Sequence, residues 1–276
     1  MSNNRYDKMT KIKNKILIVL DGSEELENSL NIVTETNILN CDQIVLFFIL
    51  NPFNPITKGQ EREVLYNDFV HDHGRRLATL YIEKLESLIH SKNIDIEISN
   101  NLVNSYENIA RRLSLGDIDL TIFSIKFSNK IDYVFNKSKN LNYLLNVSNN
   151  ILILPYEFIH NSSNKNNLVV SYSEVNNKNP FDIFLKSFDF DRITLLYEKQ
   201  KKSDVEEFID QNSNKNLSLE LLENDSKVFK NLVELSKEYN LIFSKEPNGK
   251  MKLWDSFKKF SNYSFLDKKI PLFFYK

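Results

Sequence analysis

The chain is poor in glycine, with five in 276 residues, and that scarcity bears directly on phosphate chemistry. Loops that cradle phosphate rely on glycine, which takes positive φ and lets backbone N–H groups approach an anion closely. Cysteine is scarcer still: Cys41 stands alone, which excludes an internal disulfide and a cysteine-based metal cluster. Neither sign of charge dominates, since 36 Lys and Arg face 37 Asp and Glu for a net charge of -1. Composition therefore offers no electrostatic case for a nucleic-acid partner or an anionic membrane. The longest apolar stretch, residues 44–50, is far too short to cross a bilayer. The opening MSNNRYDKMTKIKNK is polar and has no signal-peptide core. The cytoplasm is the location these absences predict. G-x-S-x-G, Walker A and HExxH motifs are absent as well.

What is present is ordinary globular material, 41% hydrophobic and 26% charged, long enough for one large or two modest domains. "KILIVL" reads as a buried strand, followed by Asp21-Gly22-Ser23 and a helical pattern through Leu26, Leu30 and Val33. "QIVLFFIL" is a second strand, and apolar spacing over residues 60–90 predicts a long helix. "IDIEISN" alternates as a third strand. "SYENIARRLSLG" predicts a helix with Ser105 as cap, Asn108 completing a weakened capping box, and Gly116 at the C-cap. "IDLTIFSI" and "NILILP" follow as strands four and five, with a helix over residues 139–147 between them. Strands alternating with helices imply an α/β fold with a parallel sheet.

Residues 160–167, "HNSSNKNN", read as a polar linker without an apolar anchor and hence a protease-sensitive point. Beyond it the alternation repeats in reduced form. "LVVSYSE", "RITLLYE", "LSLELLEN", "LIFSKE" and "IPLFFYK" are its strands, with helices around 180–188, 227–239 and 253–263. A period of about half the chain predicts two tandem domains, 12–157 and 166–276. The second half shares almost no motif with the first.

The opening "ILIVLDGSEELENSL", the strand exit "IVLFFILNP" and "SYENIARRLSLGDIDLTIFS" together resemble the universal stress protein family. The resemblance runs through residues 12–156 and reaches the second half only through the order of elements. It implies two Rossmann-like domains, each a five-stranded parallel sheet flanked by helices. In nucleotide-binding members the residues ending strands one and two hold adenosine; the matching positions here are Asp21 and Ile49. Their phosphate loop has the pattern G-x2-G-x9-G-[ST], and this sequence lies on it without a gap from Ser124 to Ser138. Ser138 keeps the hydroxyl, whereas Ser124, Phe127 and Lys137 replace all three glycines.

Forcing a non-glycine residue into the left-handed region costs about 1–2 kcal/mol, and Phe127 adds bulk where a triphosphate would lie. Lys126 and Lys137 could supply point charges, but charge seldom replaces a preformed anion nest. The balance falls against tight ATP binding. Asp21 and Ser23 have a plainer role available, as caps of the following helix. The cofactor expected is none, with ATP or AMP as the alternative. Asp21, Ile49, Ser124, Lys126, Lys137 and Ser138 are the candidate site.

His71-Asp72-His73 invites a metal reading, but only i+3 or i+4 neighbours converge on a helix. Asp68 with Asp72, and Asn67 with His71, make pairs that lack a third ligand, so no metal is expected. "LDGSEE" lacks the paired glycines of the related ATP-pyrophosphatases, and no catalytic base emerges. Cys41 reads as a small packed residue. The second half has no acidic residue immediately after its first apolar run; Tyr172 or Phe181 could line only a remnant of a pocket.

The function expected is that of a non-catalytic stress-response or regulatory scaffold with an unidentified protein partner. The alternative is a nucleotide-binding protein using its first domain. Family dimers pair their fifth strands at the edge. The matching strands here, residues 150–154 and 271–275, share one chain, so they are expected to pair with each other as an intramolecular pseudo-dimer. A further homodimer is left open.

Overall fold

The computed structural model describes residues 14–20, 41–48, 94–99, 106–125, 150–155, 163–171, 190–197, 202–211, 217–221, 234–245 and 270–275, with 72, 76, 79, 80, 83, 158, 161 and 188. The first half contributes β1 (Lys15–Leu20), β2 (Gln43–Phe48), β3 (Asp95–Ser99), α1 (Tyr106–Leu113), β4 (Leu120–Ile125) and β5 (Asn150–Pro155). The second contributes β6 (Lys165–Ser171), β7 (Arg192–Tyr197), α2 (Lys202–Gln211), β8 (Leu217–Leu221), β9 (Tyr239–Lys245) and β10 (Leu272–Tyr275). All ten strands join one sheet in the order β3-β2-β1-β4-β5-β10-β9-β6-β7-β8. Helix α1 joins β3 to β4, and α2 joins β7 to β8.

Why these segments become strands follows from burial on both faces. Parallel sheets covered on both sides need continuous apolar runs instead of alternation. Ile16, Leu17, Ile18 and Val19 are all buried, and so is every residue of β5. Helix α1 buries Ile109, Ala110 and Leu113 while Arg111 faces solvent, the one-sided stripe of an amphipathic helix.

Each half has the same internal order, with its first strand between its second and fourth. Within each half the pairing is parallel. At the seam β10 pairs β5 antiparallel, with Leu272 opposite Ile153, Phe273 opposite Leu152 and Phe274 opposite Ile151. Strands of the two halves therefore run in opposite directions.

The halves also share a corner motif. The Asn14 N–H donates to the Asp42 carboxylate at 3.0 Å and the Asp42 N–H returns to the Asn14 carbonyl at 3.0 Å. Asn166 and Asp191 repeat this at 2.7 and 2.9 Å. Each corner opens the same sequence, Asp-x-Ile-x-Leu, at Asp42-Gln43-Ile44-Val45-Leu46 and Asp191-Arg192-Ile193-Thr194-Leu195. The two halves thus share this short corner sequence. At the first corner the N–H just before β1 is met by the Asp just ahead of the neighbouring β2, and at the second the N–H of Asn166, the second residue of β6, is met by the Asp just ahead of β7.

With Asn14 matched to Asn166, Ile16 matches Leu168. Following the registers outward leads from Ile16 through Leu120 and Ile122 to Leu152. From Leu168 the same steps pass through Ile242 and Ser244 to Phe273. Leu152 and Phe273 thus hold equivalent places, and they lie opposite each other at 0% and 1% exposure. The approximate two-fold of the sheet passes between them.

Several local readings change. Residues 165–167 of the expected linker belong to β6, and Asn167 is buried. Helix α2 was not expected from the sequence. The helix read over 227–239 ends early: Glu234 and Leu235 are helical, three turn residues follow, and Tyr239 already belongs to β9. Phe188 lies in an isolated bridge, so the helix read around 180–188 does not extend to it. Within the long helix expected over 60–90, residues 72, 76, 79, 80 and 83 are helical and exposed. Among the described residues, no helix is long and apolar enough to cross a membrane.

Gly116 ends α1 as expected, with φ at 72° and its N–H bonded to the Leu113 carbonyl at 3.0 Å. A Cβ there would meet nothing within 4 Å, so the penalty for Gly116→Ala is conformational alone. Equilibrium urea unfolding of that variant should show a loss of about 1–2 kcal/mol.

Candidate functional site

In an open α/β sheet, ligands bind outside the carboxyl ends of strands, at the point where the strand order reverses. Here that point in the first half lies between β1 and β4, with β2 next to β1. β1 ends at Leu20, immediately before Asp21, and β2 ends at Phe48, immediately before Ile49. Leu20 and Phe48 are in register. Ser124 is the penultimate residue of β4, opposite Leu154 of β5. Asp21, Ile49, Lys126, Lys137 and Ser138 lie outside the described residues, as do Phe127, Tyr172 and Phe181.

The second half has its own reversal, between β6 and β9, and the antiparallel seam turns it to the opposite edge of the sheet. The matched corners allow a count along the chain. Asn14 and Asn166 are 152 positions apart, so Asp21 corresponds to Ser173. Asp42 and Asp191 are 149 apart, so Ile49 corresponds to Glu198. In sequence, then, a hydroxyl residue stands at the second position matched to Asp21 and a charged one at that matched to Ile49; Ser173 and Glu198 lie outside the described residues.

A charged network that the sequence reading missed lies at the other end of the first-half strands. Arg112, in the last turn of α1, forks onto Asp117, with Nη2 donating at 3.1 Å. Lys15 Nζ reaches Asp117 at 2.9 Å. Arg112 also lies 3.7 Å from Glu97, which accepts from Gln43 Nε2 at 3.2 Å. The neighbouring Asp119 accepts the Lys15 backbone N–H at 2.8 Å and returns its own N–H to the Lys15 carbonyl at 2.9 Å. The Asn150 amide donates to the Asp119 carbonyl at 2.8 Å, tying β5 into the same rim.

Lys15 opens β1 and Asp21 follows its end, so the network and the mouth are about 20 Å apart at 3.3 Å per residue. Its chemistry is structural: it fastens α1 and the amino ends of β1, β2 and β3. The one Asp ahead of each of three runs (Asp42, Asp119 and Asp191) was the available signal. In the second half Asn167 takes the place of Lys15, and its Oδ1 has no hydrogen-bond partner among the described residues. Cys41, buried ahead of β2, is packed. Asp72 is exposed, and no metal-ligating cluster is present among the described residues.

Hydrogen bonding from Arg112, opposed by burial and joined by Lys15, holds the Asp117 carboxyl at about 2. The same pairing raises Arg112. Burial chiefly pushes Asp119 up, with the Asp117 charge adding to it against the Lys15 N–H. A depressed carboxyl adds stability above its unfolded pKa and loses it as pH falls through the folded value. In acid titrations followed by denaturation, Asp117→Asn should therefore be less stable than wild type above about pH 4, with the gap closing toward pH 2. Asp119→Asn should show the opposite trend, gaining on wild type as pH rises above about 4, because it relieves a buried charge. Asp117 is 36% exposed, so solvent screens the first effect.

No protein-family profile and no curated protein sequence matches the chain. Solved structures do. A universal stress protein from Archaeoglobus fulgidus DSM 4304 superposes with a TM-score of 0.62 at 13% identity, over 95% of this chain and 96% of that one. The fold is that of a universal stress protein. Because the likeness covers nearly all of both chains, it includes both halves of the sheet. Two Pseudomonas aeruginosa structures are more distant, each at 9% identity. One is a protein of unknown function from strain PAO1, at TM-score 0.46 over 96% of this chain and 92% of that one. The other, from UCBPP-PA14, was solved as a candidate universal stress protein, at 0.48 over 96% and 93%.

Proposed function

We propose that this protein is a non-catalytic, universal stress protein-like scaffold, acting through an unidentified protein partner in a stress or regulatory response. It binds ATP weakly if at all and turns over no substrate. Its two halves, 12–157 and 166–276, are tandem domains, the second reduced and without a nucleotide site. The observation that carries this reading is the filling of all three loop glycines, by Ser124, Phe127 and Lys137. Side chains at those places exclude the backbone from an anion. The Ser173 and Glu198 correspondence argues the same way for the second mouth.

A second reading keeps low-affinity AMP or ATP binding in the first half through Asp21, Ile49, Ser124, Lys126, Lys137 and Ser138. The side-by-side ends of β2, β1 and β4 favour it. Acid-denaturing the purified protein and chromatographing the supernatant separates the two. The scaffold reading predicts no stoichiometric nucleotide in that fraction, and about one nucleotide per chain would select the second reading.

A further inference from the structure

β6 lies three strands from β5, across β10 and β9, and runs antiparallel to it. The connector 156–164 therefore has to travel only about 14 Å along one edge of the sheet, at 4.7–4.9 Å per strand. Nine residues reach about 30 Å, so chain length alone leaves the connector slack. The hydrogen bonds remove that slack. The Phe158 N–H bonds the Pro155 carbonyl at 2.9 Å, and its ring is buried.

Three residues on, Asn161 meets the side chain of Asn240, near the start of β9. The Asn161 N–H donates to Asn240 Oδ1 at 3.1 Å, and its carbonyl accepts from Asn240 Nδ2 at 2.7 Å. The buried Asn240 amide, 5% exposed, thus presents a donor and an acceptor as the peptide of a neighbouring strand would. Nδ2 also donates to Asn166 Oδ1 at 3.1 Å, reaching β6. Asn161 then closes a turn, accepting from Ser163 N and Oγ at 3.1 and 2.7 Å and from Asn164 N at 3.0 Å. That turn delivers the chain into Lys165.

We infer that Asn240 is the latch of a strap: it fastens the connector across the edge of the second half, so the joint between halves is locked and not a hinge. A ligand or partner engaging one half then meets a sheet that responds as one body. The latch suits an amide, because Asn and Gln carry a donor and an acceptor on adjacent atoms of one planar group with the spacing of a peptide.

The test is limited proteolysis of the full-length chain with chymotrypsin and trypsin, cleavage sites being mapped by mass spectrometry. The wild type should resist cutting within 156–165. Asn240→Ala should raise the cleavage rate there by about tenfold or more, since cleavage follows the population of the opened connector. Asn240→Asp keeps the acceptor, loses the donor and should fall between. Should Asn240→Ala fail to fold, Asn161→Pro at an exposed position deletes the same N–H and should raise cleavage likewise. Ready cutting of the wild type at 156–165, or an unchanged rate in a folded variant, would overturn the latch.

Discussion

Phe273→Pro is expected to cost the protein its cooperative unfolding transition. β10 has β5 on one side and β9 on the other, so each of its inner N–H groups is directed to one ladder or the other. Proline at 273 removes one of those bonds at the centre of the sheet, where proline is essentially not found. It also deletes a ring that is buried where the two halves meet. Loss of a buried Phe side chain costs about 3–5 kcal/mol, against a total stability of about 5–15 kcal/mol for a typical domain. Phe273→Ala isolates the packing part and should unfold at clearly lower urea, still in one step. Circular dichroism in urea, combined with small-angle scattering, distinguishes them: the proline variant should show separated halves or aggregation. A compact proline variant with a wild-type midpoint would mean that the seam contributes little.

The second large effect concerns affinity for nucleotide. Phe127→Gly and Lys137→Gly combined would remove the steric penalty of about 1–2 kcal/mol expected at each left-handed position, whereas Ser124, extended inside β4, carries no such penalty. Glycine's greater chain entropy takes back about 0.5–1 kcal/mol per position. The net gain of roughly 1–2 kcal/mol is about fivefold to thirtyfold in affinity. Fluorescence titration with a labelled ATP should register it, whereas an affinity unchanged by the double variant would show that glycine loss is not what weakens the site.

Which features could be read from the sequence depended on where their causes lie. β1 and β5 match "KILIVL" and "NILILP" at both ends, because burial on both faces writes itself into every residue of a parallel strand. Gly116 was legible because positive φ leaves few alternatives to glycine. Helix α2 was not, since "KSDVEEFIDQ" offers only Val205, Phe208 and Ile209 as apolar positions, and of these only Val205 is buried. The end of the connector was misread because residues 165–167, polar in sequence, pair as the start of β6, and Asn161 bonds Asn240, 79 positions away in sequence, a partner that local composition does not reveal. The paired corners were missed for a similar reason: their Asn and Asp lie just outside the apolar runs that draw attention. For the mouth itself, the strand ends and their order are on view, while Asp21, Ile49 and the loop from Lys126 to Ser138 rest on the resemblance.

Isothermal titration calorimetry of the unmodified chain with ATP decides whether a mouth lacking its glycines holds the nucleotide tightly. No binding tighter than about 100 μM, or about 5.5 kcal/mol, is expected. A one-to-one isotherm in the low micromolar range would contradict it and restore the first half as a working nucleotide site.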